Sequence, residues 1–215
     1  MKERGILFSA PMVRALLDGG KTQTRRPMSK QPGEDTDVRV EHFHQTVVDK
    51  HGDEQPGPEI FGAWWDMGET GLKCPYGAPG DRLWVREAWR TAVGLMDSEP
   101  PRNLRPENSL IRYEADGANR HGATFSQGKL RPSLFMPRWA SRITLEITDV
   151  RVERLGEISE ADAVAEGYPG YGVGGVNWSA RHWYELLWLD INGAGSWDAN
   201  PYVWAITFKR IEQGA

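Results

Sequence analysis

The sequence predicts an α+β chain: a small, mostly antiparallel β-barrel with flanking helices and long loop insertions. Three observations carry this. The candidate strands are few, short and scattered, with one helix early and two late, so no regular alternation of strand and helix supports a doubly wound sheet. The clearest strand, RITLEITDVRVER at 142–154, changes phase part-way. Ile143, Leu145 and Ile147 share one parity, and Val150 and Val152 the other. A bulge or sharp bend near Thr148–Asp149 explains the slip, and bends of that kind help curl sheets into barrels. Finally, 215 residues with 39% hydrophobic and 26% charged content suit one domain spanning 1–215, enlarged by insertions at about 28–79 and 92–141.

The elements follow in order. GILFS at 5–9 reads as a short strand. Pro11 fits the first turn of a helix, and Met12, Val13, Leu16 and Leu17 give that helix one apolar face. Gly19 and Gly20 stop it. Residues 28–79 are rich in Pro, Gly, Asp, Glu and His with little periodicity. They read as a partly irregular insertion pinned by Phe61, Trp64 and Trp65, ending in the turn signal PYGAPGD. DRLWVREAW, 81–89, alternates as a strand. A Pro- and Asn-rich loop at 94–110 precedes a short strand at IRYEAD. Ser159-Glu160-Ala161-Asp162 is a capping box with Ser159 as N-cap, opening a helix that runs to Glu166 and ends at Gly167. GYPGYGVGG is a loop. WSARHWYELLWLDI, 178–191, is an amphipathic helix carrying Trp183, Leu186, Leu187 and Ile191, and YVWAITFKRI, 202–211, is a final strand.

Composition excludes several classes. No apolar run approaches the roughly 20 residues that cross a bilayer, and the N-terminus MKERGILFSAPMV lacks a signal-peptide core. Cys74 is the single cysteine, so no disulfide forms within the chain; it reads as a small buried residue. The expectation is a cytoplasmic protein with no membrane partner. Ten tryptophans are many for this length; most belong to the core, with some free to line a site, because indole faces stack on flat ligands.

The densest chemistry is DGGKTQTRRP at 18–27. If residues 21–26 were fully extended, Thr22, Thr24 and Arg26 would face one way and Lys21 the other. Lys21 joins Thr24 only if the turn curls it back, which the paired glycines permit. A lysine beside a threonine hydroxyl acts as its base when burial or a cationic neighbour lowers its pKa, and Arg25 and Arg26 offer that charge. A solvated basic turn is the plain alternative. Glu166 is the second unusual residue: a carboxylate in the last turn of a helix opposes the dipole, and a residue that breaks a local rule is a candidate for function.

The string Gly19-Gly20-Lys21-Thr22-Gln23-Thr24-Arg25-Arg26 resembles the G-x-K-x-x-T-x-R signature of ASCH domains, relatives of the PUA fold. GILFSAPMVRALLDG resembles that family's opening strand and helix, and PGDRLWVRE its G-D-x-L-x-V strand. The long strand followed by ISEADAVAEG resembles the later strand and helix that deliver a glutamate, and YVWAITFKRI the closing strand. The matched pieces keep the family's order over roughly a third of the chain. The resemblance implies a small PUA-like barrel with a cleft. Bacterial members similar to this chain hydrolyse N4-acetylcytidine to cytidine and acetate. Their catalytic lysine, threonine and glutamate would fall on Lys21, Thr24 and Glu166, with Arg26 shaping or charging the cleft. No cofactor is implied. The chain is about twice the length of those compact enzymes and is closer to longer ASCH proteins encoded by phages and prophages. In the expected reaction Lys21 takes the Thr24 proton, Thr24 attacks the acyl carbon, and Glu166 positions or protonates the departing nitrogen. A backbone N–H near Gly20 or Lys21 holds the oxyanion. In the alternative, Lys21 and Glu166 form only an ion pair and water attacks.

A second reading is RNA or single-stranded nucleic-acid binding. No acidic residue lies between Asp116 and Glu146, while Arg120, Lys129, Arg131, Arg138 and Arg142 interleave with Phe125, Phe135 and Trp139. The net charge of −4 opposes tight non-specific binding. Trp84 and Trp139 are candidate base contacts, and Glu87, on the strand after Asp81, would point into the barrel. A third reading is a phage assembly protein that keeps only the fold. Gly170, Gly172 and Gly175 satisfy G-x-G-x-x-G but lack the preceding strand, so this loop reads as a lid rather than a dinucleotide site. His42, His44 and His51 come without the carboxylate or cysteine spacing of a metal site.

Overall fold

The structure is a computed structural model that describes residues 1–34, 36–66, 70–91, 97–105, 111–117, 128–170 and 178–211. Its elements run β1 (Glu3–Leu7), α1 (Ala10–Leu17), β2 (Gln23–Pro27), β3 (Arg39–Val48), β4 (Glu54–Trp65), β5 (Thr70–Lys73), β6 (Arg82–Arg86), β7 (Trp89–Thr91) and β8 (Ile111–Tyr113). Then follow β9 (Thr144–Arg154), α2 (Glu160–Ala165), α3 (Ala180–Asn192) and β10 (Tyr202–Ile211). No helix among the described residues is long and apolar enough to cross a membrane.

The barrel expectation is corrected. The main sheet has five strands in the order β1-β6-β9-β10-β2, beside sheets of three strands (β3-β4-β5) and two (β7-β8), and no sheet closes. β1 and β2 are the outer strands of the large sheet, and α1 fills the connection between them. Arg26 Nη2 donates to the Leu7 carbonyl at 2.6 Å. The fold is α+β with an open, mixed sheet, since β1 runs parallel to β6 while the other pairs are antiparallel.

The phase slip in β9 is a bulge. Thr207 pairs with Asp149 and Phe208 with Ile147, which leaves Thr148 as the extra residue. Ile143, Leu145, Ile147 and Val150 are all buried as a result. The 28–79 insertion is more regular than expected, since β3, β4 and β5 form a three-stranded antiparallel sheet within it. Ala63 and Trp65 sit in the same buried cluster as Ile6, Leu83, Leu145 and Trp204, with Phe61 packed against it. Trp64 instead turns outward and donates to Glu41.

The capping box forms as read. The Ser159 hydroxyl accepts from the Asp162 N–H, and the Asp162 side chain accepts from the Ser159 N–H. α2 ends with Glu166 as C-cap and Gly167 at φ +101°. On α3 the buried residues are Ala180, Tyr184 and Trp188, while Leu186 and Ile191 are exposed. Of the apolar stripe read from the sequence, Trp183 and Leu187 pack against the buried cluster, whereas Leu186 and Ile191 do not. Tyr and Trp bury their rings while keeping a polar end for a partner, so they occupy the face that Leu186 was expected to take.

Candidate functional site

Two chain segments 145 residues apart meet behind β2. α1 ends at Asp18 and Gly19, and Lys21 then forms an antiparallel bridge with Glu166. The backbone tightens this join: Thr22 N–H donates to the Ala165 carbonyl at 2.8 Å, and Phe208 N–H to the Thr22 carbonyl at 2.9 Å. Gly167 is required here. A side chain there would lie in the left-handed region and would approach Ala15 Cβ to 3.0 Å and Lys21 Cβ to 3.3 Å.

The Lys21 side chain is wholly buried. Its ammonium donates to Glu166 Oε2 at 2.7 Å and to the Glu166 carbonyl at 2.8 Å. Burial pushes the amine's pKa below that of an ordinary lysine, with Glu166 opposing the shift and Arg26 and Arg25 adding to it. Lys21 and Arg26 lie over the same Phe8 ring, at 5.5 and 5.4 Å. The Lys21 ammonium is directed to Glu166, and no hydrogen bond joins it to Thr24 among the described residues.

Arg25 is the residue the motif reading underrated. Its guanidinium is fully buried and reaches three carboxylates: Glu153 Oε1 at 2.6 Å, Glu166 Oε1 at 3.3 Å and Asp162 Oδ2 at 3.4 Å. Arg151 closes the network from outside, at 2.8 Å from Glu153 and 2.7 Å from Asp162. Glu166 therefore has one cation on each oxygen, Lys21 on Oε2 and Arg25 on Oε1. This answers the rule it breaks, because two charges at contact distance outweigh the several tenths of a kcal/mol that the helix dipole typically costs.

A small hollow with about 30 Å³ of interior space, partly open to solvent, lies against this cluster. Thr24, Arg25, Arg26 and Glu166 line one side. Tyr184, Leu187, Trp188 and Ile191 of α3 form the other, with Met12 at the edge. Lys21 stands behind Glu166 rather than on the surface of the hollow. Among the described residues no hydrogen bond joins Lys21 to Thr24, and none is made by the Thr24 hydroxyl. The Lys21 N–H, expected as an oxyanion donor, is engaged with the Ala15 carbonyl at 3.0 Å. Tyr184, Trp188 and Asn192 were not singled out in the sequence. The signal was available, since residues 184, 188 and 192 fall at i, i+4 and i+8 on one helix face.

The other candidates do not reach the hollow. Glu87 is buried and held bidentately by Arg142 at 2.9 and 3.0 Å. Burial pushes its pKa up, against the pull of Arg142. Arg142 also pairs with Asp116 at 2.8 Å and lies 3.9 Å from the centre of the Tyr113 ring, whose hydroxyl burial pushes up to about 12. Glu87 thus joins a clamp rather than a barrel interior. Arg138 pairs with Glu3 at 3.0 Å, and the Arg138 and Arg86 guanidiniums lie 5.9 and 4.6 Å from the centre of the Trp84 ring. Trp139 packs against Trp89, Leu104 and Met136. Arg120, Phe125, Gly172 and Gly175 lie outside the described residues. Among the described residues no three His, Cys, Asp or Glu side chains gather as metal ligands. His42 packs on Phe61, and His44 Nδ1 lies 2.8 Å from the Gly57 carbonyl.

No protein-family model, curated protein or solved structure matches the chain significantly. The ASCH resemblance therefore rests on the motif residues and their order alone.

Proposed function

We propose that this protein is an amidohydrolase that removes an acyl group from the exocyclic amine of a modified pyrimidine nucleoside or nucleotide, as in N4-acetylcytidine. The observation that carries the reading is the convergence of the 21–26 turn and the end of α2 on one hollow. A threonine and a carboxylate line it, with a buried lysine behind the carboxylate. Buried charge with a depressed lysine pKa beside a concave surface is the usual setting of acid–base chemistry.

In this scheme Lys21 and Glu166 act as one proton-holding pair. With Lys21 neutral, the Thr24 hydroxyl attacks the acyl carbon, and its proton passes by way of the Glu166 carboxylate to the Lys21 amine. The carbon–nitrogen bond then breaks, and the pair returns that proton to the leaving exocyclic nitrogen. Water attacks the threonyl ester, its proton passes to the pair and back to the Thr24 oxygen, and the carboxylic acid leaves. Arg25 holds the second oxygen of Glu166 throughout. A nucleic-acid-binding reading draws less support, because Arg138 and Arg142 are both engaged with carboxylates.

The test is release of cytidine from N4-acetylcytidine, alongside a series of acylated nucleosides and nucleotides. Wild type is expected to release product at a rate that rises with pH below the ordinary lysine range. Lys21→Ala is expected to lower the rate at least about 100-fold, the lower bound for a general base. Equal rates for wild type and Lys21→Ala across the whole series would sink the proposal.

A further inference from the structure

The residues around the hollow grade from buried to exposed. Thr24, Glu166 and Trp188 are 2%, 2% and 4% exposed, which sets them at its inner end. Met12 and Leu187 are half-buried farther out, and Pro27 and Ile191 are exposed at the mouth. The hydroxyl and the carboxylate of the proposed chemistry therefore lie at the closed end. The interior space is about 30 Å³. One water needs roughly 10–15 Å³ of such space, so the hollow takes about two water-sized groups. Ordinary small-molecule pockets are about ten times larger or more. A pyrimidine ring does not fit. An acetyl group carries only a methyl and an oxygen beyond its reacting carbon, and these do fit.

We infer that the hollow is an acyl pocket rather than a nucleoside pocket, and that α3 limits the length of the acyl chain through Leu187; this rests on the amidohydrolase reading above. The acyl group enters first, with its carbon toward Thr24. The nitrogen that leaves lies toward the mouth, and the base and sugar stay outside, against the exposed rim. Amine departs and water enters by the same opening, so hydrolysis of the threonyl ester needs no second channel. Selection is made on the acyl end of the substrate.

Most of the wall is fixed. Arg25 and Glu166 are held in the ion cluster, and the buried Trp188 ring is pinned by its N–H, which donates to the Ser196 carbonyl at 3.3 Å. Leu187 is the aliphatic side chain between this inner end and the mouth, and it packs against the buried cluster of Leu155, Ala163 and Val203. A longer acyl chain meets it and has to displace packed atoms, which well-filled interiors resist.

The experiment measures kcat/KM for N4-formyl-, N4-acetyl-, N4-propionyl- and N4-butyrylcytidine with wild type, Leu187→Ala and Ile191→Ala, in the full chain. Each rate is divided by that of alkaline hydrolysis of the same substrate, so that intrinsic reactivity cancels. Wild type is expected to lose about 10-fold or more with each methylene past acetyl. Leu187→Ala is expected to raise the butyryl-to-acetyl ratio at least about 10-fold. Ile191→Ala, at the mouth, should change all four substrates alike and move that ratio by no more than about threefold, less than one methylene is worth. Wild-type turnover of butyryl- and acetylcytidine within about threefold of each other overturns the inference while leaving the amidohydrolase reading intact. So does a ratio that Leu187→Ala leaves unmoved, or that Ile191→Ala moves as far. No wild-type turnover of any acylated nucleoside overturns both. Should Leu187→Ala fail to fold, Met12→Ala opens the same hollow from α1 and carries the same expectation.

Discussion

Glu166 shows how a local violation becomes intelligible only in three dimensions. At a helix C-terminus its carboxylate opposes the dipole, yet it is 2% exposed and carries Lys21 on one oxygen and Arg25 on the other. The three side chains are a buried charge unit in which Glu166 is the carboxylate that Lys21 pairs with, whereas Arg25 also holds Glu153 and Asp162. Glu166→Ala would strand the buried Lys21 cation, for which a loss of about 3–5 kcal/mol is expected. Glu166→Gln keeps the shape and one acceptor and is expected to lose less. Urea unfolding of the two variants checks the order. A Glu166→Ala protein as stable as wild type would mean that the ion cluster contributes nothing to the fold.

At the scale of elements, α2 is a six-residue helix too short to persist alone. Its first turn is tied down by Asp162, which completes the capping box and bonds Arg151 at 2.7 Å. Partial burial opposes ionisation of this carboxyl, but the Ser159 hydroxyl and the charges of Arg25 and Arg151 bring its pKa down to about 2. The sign follows from linkage. Between the ordinary Asp range and about 2, the unfolded chain binds a proton that the folded chain does not. The stability Asp162 contributes is therefore complete above its unfolded pKa and is lost as pH falls through about 2. Melting temperatures of wild type and Asp162→Asn from pH 5 to pH 2 should differ most at pH 5 and converge on acidification. A gap that stays constant would remove Asp162 from the acid response. α2 was legible in the sequence because its signals are local: Ser159, Asp162 and Gly167 each act within one turn. β3–β5 and the buried face of α3 were not. Arg39–Val48 alternates weakly because most of its residues are exposed. On α3, Tyr184 and Trp188 outrank Leu186 only once a partner surface with buried polar groups is known. Likewise Lys21 and Thr24 were singled out by the dense turn at 18–27, Glu166 by its place at a helix end, and the set by the ASCH resemblance, whereas Arg25 is distinguished by acids on β9 and α2 that no short window contains.

The molecule as a whole is an open sheet whose edges are managed by other elements rather than by closure. Arg26 bridges β1 and β2 through the Leu7 carbonyl, and the bulge at Thr148 lets both halves of β9 bury their apolar residues. Against this sheet packs the β3–β4–β5 insertion, its contact made by Ala63 and Trp65 at 0% and 2% exposure. Three strands with few apolar residues of their own would be marginal in isolation, so their order depends on that contact. Because Trp65 shares one buried cluster with Ile6, Leu83, Leu145 and Trp204, loss of the ring should be felt by the large sheet as well. Trp65→Ala is expected to cost about 3–5 kcal/mol of global stability. Far-ultraviolet circular dichroism and tryptophan fluorescence should still report one coincident transition, shifted to lower urea. A separate early transition carrying only part of the signal, with the main midpoint unmoved, would show instead that the insertion melts on its own and that the large sheet, with Thr24 on β2, stands without it.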